Sequence, residues 1–273
     1  MPQPVIVWFR QDLRLNDNPA FAAAIRSKAP IVPVFIDDTT YGRSAGKISL
    51  SWRNKSLAAL ADDLKTRGLE LIYREGNGLE TMRALVTETD AATVFWNRQY
   101  EEDTIARDTE LKSWLKDNNR QGEGHVGNLF FDPWQIMNKK SGSHYKVFSA
   151  FWKACLEAGL PCDLSAPPAR IAGPEKWPES LPLPAADTPL AFDMETLWEP
   201  GERGALKMLD VFLDEGLEGY ADNRDIPGGV TTSRLSPHLR WGEISPQRIF
   251  ASLGETRLDT RDGRKFLSEV GWR

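Results

Sequence analysis

The first 131 residues alternate short apolar runs with longer stretches of helical spacing, an order that few folds accept. The runs "VIVWF" (5–9), "IVPVFI" (31–36), "LELIYRE" (69–75), "TVFWN" (93–97) and "HVGNLFF" (125–131) have the length and composition of strands. Between them lie "DNPAFAAAI", 51–68, 78–89 and 101–118, which read as helices. In the second of these Leu57, Leu60, Ala61 and Leu64 share one face before a closing glycine, and Asp17 or Asn18 caps the first, with Pro19 at its first position. Strands alternating with helices require right-handed crossovers and a parallel sheet covered on both faces. The expected fold is α/β, a doubly wound, Rossmann-like, five-stranded parallel sheet. Such sheets bind ligands beyond their C-terminal strand ends, here Arg10 to Asp12, Asp37 and Asp38, and Asn97 and Arg98.

The pattern then changes. A turn leads into an aromatic-rich helix at 141–159, and residues 161–189 hold eight of the eighteen prolines, which blocks helix and ladder and predicts an extended linker. Beyond it, 202–217, 245–254 and 263–272 read as helices with no strand between them. The expected units are 1–131, an α/β domain; 132–197, an interdomain segment and linker; and 198–273, the start of an all-helical domain. A net charge of −5 argues against a chain that coats nucleic acid over its whole surface, yet from Arg224 onward nine Lys/Arg face six Asp/Glu, a local balance of +3. Cys155 and Cys162 lack metal spacing and indicate a reducing compartment. His125, His144 and His238 are scattered, so no metal site is expected. With neither a leader pattern at the N-terminus nor an apolar run near the ~20 residues of a membrane helix, the expected location is cytoplasmic.

Four stretches carry polar chemistry, each with a structural and a functional reading. In "TTSRLSPHLRWGEIS" (231–245), Ser236 caps a helix, Pro237 takes its first turn and Thr232 or Ser233 fixes the bend; alternatively the hydroxyls, the helix start and Arg234 cradle a diphosphate. In "FLSEVGWR" (266–273), Phe266, Glu269 and Trp272 lie three residues apart on one helical stripe. They are core residues beside a solvated carboxylate, or a pocket wall in which an indole stacks a base and a carboxyl reads its edge. In "GYADNRDIPGG" (219–229), Tyr220 and Arg224 contact a cofactor and a phosphate, or Arg224 pairs with Asp222 or Asp225. The cluster of Arg10, Asp12 and Arg14 reads as a structural ion-pair turn. "VIVWF" is not followed by G-x-G-x-x-G, which argues against a dinucleotide dehydrogenase.

In this order the stretches resemble the DNA photolyase/cryptochrome family. "VIVWFRQDLRLNDNPAF" is similar to its opening and "YKVFSAFWKA" to its interdomain segment, with Ser149-Ala150 in place of the usual Thr-Pro. "GYADNRDIPGGVTTSRLSPHLRWGEISP" resembles its first flavin-binding segment, and "FLSEVGWR" the start of the helix lining its substrate cavity. The pattern is nearest to the bacterial class I cyclobutane pyrimidine dimer photolyases. The resemblance implies an α/β antenna domain, a linker and a helical domain holding folded FAD. Tyr220 would contact the flavin; Thr232, Ser233, Arg234, Leu235 and Ser236 would grip its diphosphate and ribityl region. Phe266 would stand against the flavin, and Arg273 would reach the cofactor region. Arg224 would touch a DNA phosphate, Glu269 would hydrogen-bond a thymine carbonyl, and Trp272 would stack on the flipped dimer. The implied activity is light-driven repair of pyrimidine dimers in UV-damaged DNA by electron transfer from reduced FAD, in a protein that is monomeric at full length.

Two departures qualify the resemblance. Where folate-binding members carry Asn-Glu after the Tyr-Glu pair, this chain has Asp103-Thr104 after Tyr100-Glu101. The antenna chromophore is thus open between methenyltetrahydrofolate, a deazaflavin, another flavin and none. Family members also run on well past residue 273, so the chain is expected to be an incomplete fragment that neither retains FAD nor repairs alone, with Phe266, Leu267, Val270 and Trp272 short of partners. Two further readings stand: a cryptochrome-like blue-light photoreceptor, and a stand-alone antenna- or nucleotide-binding α/β module. The repair reading expects the turn near Ser233 and the indole of Trp272 to be opposite margins of one cavity, and it collapses if they face away from each other or lie sealed in separate hydrophobic clusters.

Overall fold

The computed structural model describes residues 2–38, 40, 45–139, 141–186, 196–226, 228 and 231–272. Strands β1 (Val5–Phe9), β2 (Ile31–Asp37), β3 (Ile72–Glu75), β4 (Thr93–Asn97) and β5 (Gln121–His125) form one parallel sheet in the order β3-β2-β1-β4-β5. Helices α1 (Pro19–Arg26), α2 (Lys47–Thr66), α3 (Gly78–Thr89) and α4 (Glu102–Asp117) connect them. The period of two along β1 sends Val5, Val7 and Phe9 to one face with α1 and α2, and Ile6 and Trp8 to the other with α3 and α4. Burial on both faces explains why the central strands are apolar throughout. Asn18 caps α1, accepting from the Phe21 N–H, with Pro19 inside the first turn.

One strand lies earlier than expected. The fifth is Gln121–His125, and the apolar 126–131 segment is not strand. A β-carbon at Gly122 would come within 2.9 Å of Leu115 Cδ1 and 3.0 Å of the Trp96 ring, so glycine lets α4 and β4 close on this edge. Hydropathy gives no sign of such a strand. Phe130 and Phe131 instead pack on a second core.

That core is built by α6 (Glu202–Val211), a π-helical turn (Phe212–Gly216), α7 (Tyr220–Asn223), α8 (Ser236–Trp241), α9 (Pro246–Leu258) and α10 (Arg261–Gly271). Helix α5 (Phe148–Ala158) lies beside it through Trp152. The expectation that Phe266, Leu267 and Val270 lack partners is corrected. All three are buried, Phe266 against Phe212 and Tyr220 at ring separations of 4.6 and 5.5 Å. Only Trp272 of the four is exposed, at 63%. The π-helical turn and α9 supply the missing walls.

The proline-rich segment is extended and tied down. Asp17 and Ser165 exchange hydrogen bonds, the Ile31 N–H donates to Ala172 O, and the Leu181 N–H to Tyr73 O. Cys155 is a buried free thiol and Cys162 an exposed one.

Candidate functional site

The charged end of β1 is structural. Asp12 accepts from the Arg10 N–H and from Asn97 Nδ2, both at 2.6 Å. Arg10 pairs with Asp108 at 2.8 Å, and the Trp8 ring lies against both guanidiniums, 5.0 Å from Arg10 and 4.6 Å from Arg107. Buried Arg14 donates to Asp17 O, Gly127 O, Asn128 Oδ1 and Gly242 O, so its donors are spent on the fold. Burial pulls the Arg10 and Arg14 guanidiniums below their ordinary range, against the neighbouring carboxylates.

The hydroxyl-rich turn is held from behind. His238 and Glu243 are fully buried and hydrogen-bonded to each other, and Trp52 Nε1 donates to Glu243 at 2.8 Å. This trio fastens α8 to α2 of the sheet layer. Sequence reasoning missed it, because each partner is unremarkable until the two layers meet. Ser236 does not cap α8. It is the first helical residue, and Leu235 before it is already helical and gives no side-chain cap. Ser233 Oγ accepts from the Leu235 N–H at 3.4 Å, and Arg234 O accepts from Trp198 Nε1. Arg234 adopts φ 52°, the left-handed region, which turns the chain sharply before buried Leu235. Thr232, Arg234 and Ser236 are exposed, while the Thr231 hydroxyl is buried without a hydrogen-bond partner among the described residues.

A second group converges on α10. Asp262 in its first turn accepts from the N–H groups of Gly219 and Ala221, fixing the start of α7. Tyr220 is thereby buried between Phe212 and Phe266, and burial raises its phenol above the ordinary range against the pull of Arg224. Arg224 pairs with Glu269 at 2.5 Å as well as with Asp225 at 3.2 Å; Asp222 pairs instead with Arg261. Partial burial opposes ionisation of Glu269, but hydrogen bonds from Lys265 and Arg224 outweigh it and hold the carboxyl below the ordinary carboxylate range. Trp272 follows α10, its ring stacked on Phe148.

The structure thus brings Tyr220, Leu235 and Phe266 into one buried cluster and Arg224 and Glu269 into one ion pair. Thr232, Ser233, Arg234 and Ser236 form the turn above Leu235, and Trp272 stands at the helix end. Arg273 lies outside the described residues. Neither the cavity of about 530 Å³ beside α1 nor that of about 620 Å³ beside α10 is lined by any of them. Leu235 of the turn and Phe266 and Val270 of α10 belong to one core, but neither of these two cavities joins the turn to Trp272, so the single cavity expected between them is not found among the described residues.

Comparison with known proteins sets this geometry in context. The DNA photolyase family description matches residues 5–172. The chain belongs to that family. It is 39% identical over 277 residues to a deoxyribodipyrimidine photo-lyase of Agrobacterium fabrum, covering 99% of this chain and 57% of that relative. It is 33% identical over 262 residues to cryptochrome-2 of Arabidopsis thaliana, covering 92% and 42%. Its fold matches the crystal structure of a bacterial class III photolyase from Agrobacterium tumefaciens with a TM-score of 0.92 and 37% identity, over 100% of this chain and 58% of that one. The chain therefore spans little more than half the length of the photolyases it matches. The expected class I affiliation finds no support, since the photolyase matched at that TM-score is of class III. Among the described residues no helix is long and apolar enough to cross a membrane, and no His/Cys/Asp/Glu group is suited to a metal ion.

Proposed function

We propose that this photolyase-family chain contributes to the light-driven repair of cyclobutane pyrimidine dimers in DNA. The observation that carries the reading is the composition of the α10 end. A carboxylate paired with two cations, Glu269 with Arg224 and Lys265, lies one helical turn before an indole stacked on Phe148. Flipped pyrimidines require that combination of a stacking plate, an edge-reading group and phosphate-seeking cations.

The turn supports FAD as cofactor. Thr232, Arg234 and Ser236 are exposed, and the buried Thr231 hydroxyl, without a hydrogen-bond partner among the described residues, is suited to a ligand oxygen. Thr232, Ser233, Arg234 and Ser236 would hold the diphosphate and ribityl region, with Leu235, Tyr220 and Phe266 forming the apolar floor. FAD, when bound, supplies light absorption and one-electron chemistry. The chain's own residues bind and orient. While Arg224 and Lys265 pair with it, Glu269 can only accept a hydrogen bond, as from a thymine ring N–H; donating to a thymine carbonyl requires it to take up a proton. For Arg224 to reach a DNA phosphate it must exchange Glu269 for the phosphate.

A blue-light photoreceptor is the second reading, supported by the likeness to cryptochrome-2. The two differ in lesion recognition. In fluorescence anisotropy with a thymine-dimer oligonucleotide and its undamaged twin, Glu269→Gln and Trp272→Ala should each reduce the preference for the dimer by about tenfold. A preference unaffected by both substitutions would refute the repair reading.

A further inference from the structure

We propose that Phe148 is a positioning residue for Trp272, and that α5 is a built part of the lesion-binding edge; the inference rests on the repair reading above. Phe148 and Trp152 are four residues apart and share one face of α5. Their rings are nearly parallel, at 6.1 Å and 10°. The Trp272 ring lies on Phe148 at 3.8 Å and 11°, the shortest ring separation among the described residues. One residue earlier, Gly271 sits on Trp152: a β-carbon there would come within 2.4, 2.6 and 2.8 Å of three atoms of that indole. Real β-carbons do not approach so closely, so the end of α10 reaches α5 only because residue 271 has no side chain. The two contacts act as a seat, with Trp152 under Gly271 and Phe148 under Trp272.

The seat has an energetic role. An exposed indole at a helix end loses rotamer freedom when a base stacks on it, and that loss subtracts from affinity. Stacking on Phe148 removes that freedom beforehand.

The test uses the whole chain labelled with 5-fluorotryptophan, the Trp272 ¹⁹F resonance being assigned by its loss in Trp272→Phe. Phe148→Leu should shift and broaden that resonance through loss of the ring current, Gly271→Ala should shift it by displacing the helix end, and Phe148→Tyr should leave it in place. Thymine-dimer affinity should fall about fivefold to tenfold in Phe148→Leu and recover in Phe148→Tyr, and Phe148→Leu should cause no further fall when added to Trp272→Ala. A resonance unmoved by both Phe148→Leu and Gly271→Ala overturns the positioning role alone. So does a shifted resonance with dimer affinity lost in Trp272→Ala but kept in Phe148→Leu. Dimer affinity indifferent to Trp272→Ala overturns the repair reading and the positioning role together, whatever the resonance does.

Discussion

Glu269 illustrates how neighbours decide what a side chain can do. Two cations hold it ionised, so its folded-state pKa lies below the ordinary value of about 4.3. Its contribution to stability is complete above that value and fades as pH falls through the lowered one. His125 behaves similarly for a different reason. Burial first, then Arg98, Arg26 and Lys112, push its imidazole down to about 4. Glu123 at 3.8 Å is too far to hydrogen-bond Nε2 and does not offset this. Between the unfolded pKa near 6.5 and the folded one, the unfolded chain binds the proton and the folded chain does not. Urea unfolding should therefore show stability falling by on the order of 2–3 kcal/mol from pH 7 to pH 4 on account of this residue, with a smaller fall in His125→Asn. At this scale the sequence revealed candidates but not partners. Arg224 was legible as a pairing or phosphate-seeking group, yet Glu269 as its partner was not, because the pair spans α7 and α10. The His238–Glu243–Trp52 trio was illegible for the same reason.

At the scale of elements, local pattern served well where burial follows periodicity and failed where glycine or tertiary contact decides. The unbroken apolar run of β1 and the stripe on α2 located those elements directly. Strand β5 was misplaced because its side chains are small and polar, and the apolar 126–131 segment serves the other core. Gly242 shows how narrow such contacts are. It adopts φ 65°, and a β-carbon there would lie 2.0 Å from Gln11 O and 2.6 Å from Asp12 Cα. The Gly242 carbonyl accepts from Arg14, and the Leu13 N–H donates to Trp241 O, so this turn docks α8 onto the loop after β1. Gly242→Ala combines backbone strain with a clash against rigid main chain. It should lower stability by about 2–4 kcal/mol, measured as the shift in urea midpoint at unchanged slope.

The molecule as a whole holds two kinds of core, one around the sheet and one among helices, joined by buried polar groups. Glu202 of α6 accepts from the Leu15 and Asn16 N–H groups and from the Asn16 side chain, while Arg14 and the Trp52–Glu243 bond cross the same boundary. Glu202→Ala strands two main-chain donors and should cost about 2–4 kcal/mol. The loss should fall on the junction, so that circular dichroism and tryptophan fluorescence, coincident in the parent, unfold at different urea concentrations in the variant. The central claim is that the end of α10 meets the lesion. It is tested most directly by the ¹⁹F resonance of Trp272 during titration with a thymine-dimer oligonucleotide. The resonance should move with the dimer and stay fixed with the undamaged twin. A Trp272 signal that ignores the dimer while another tryptophan responds would contradict the account.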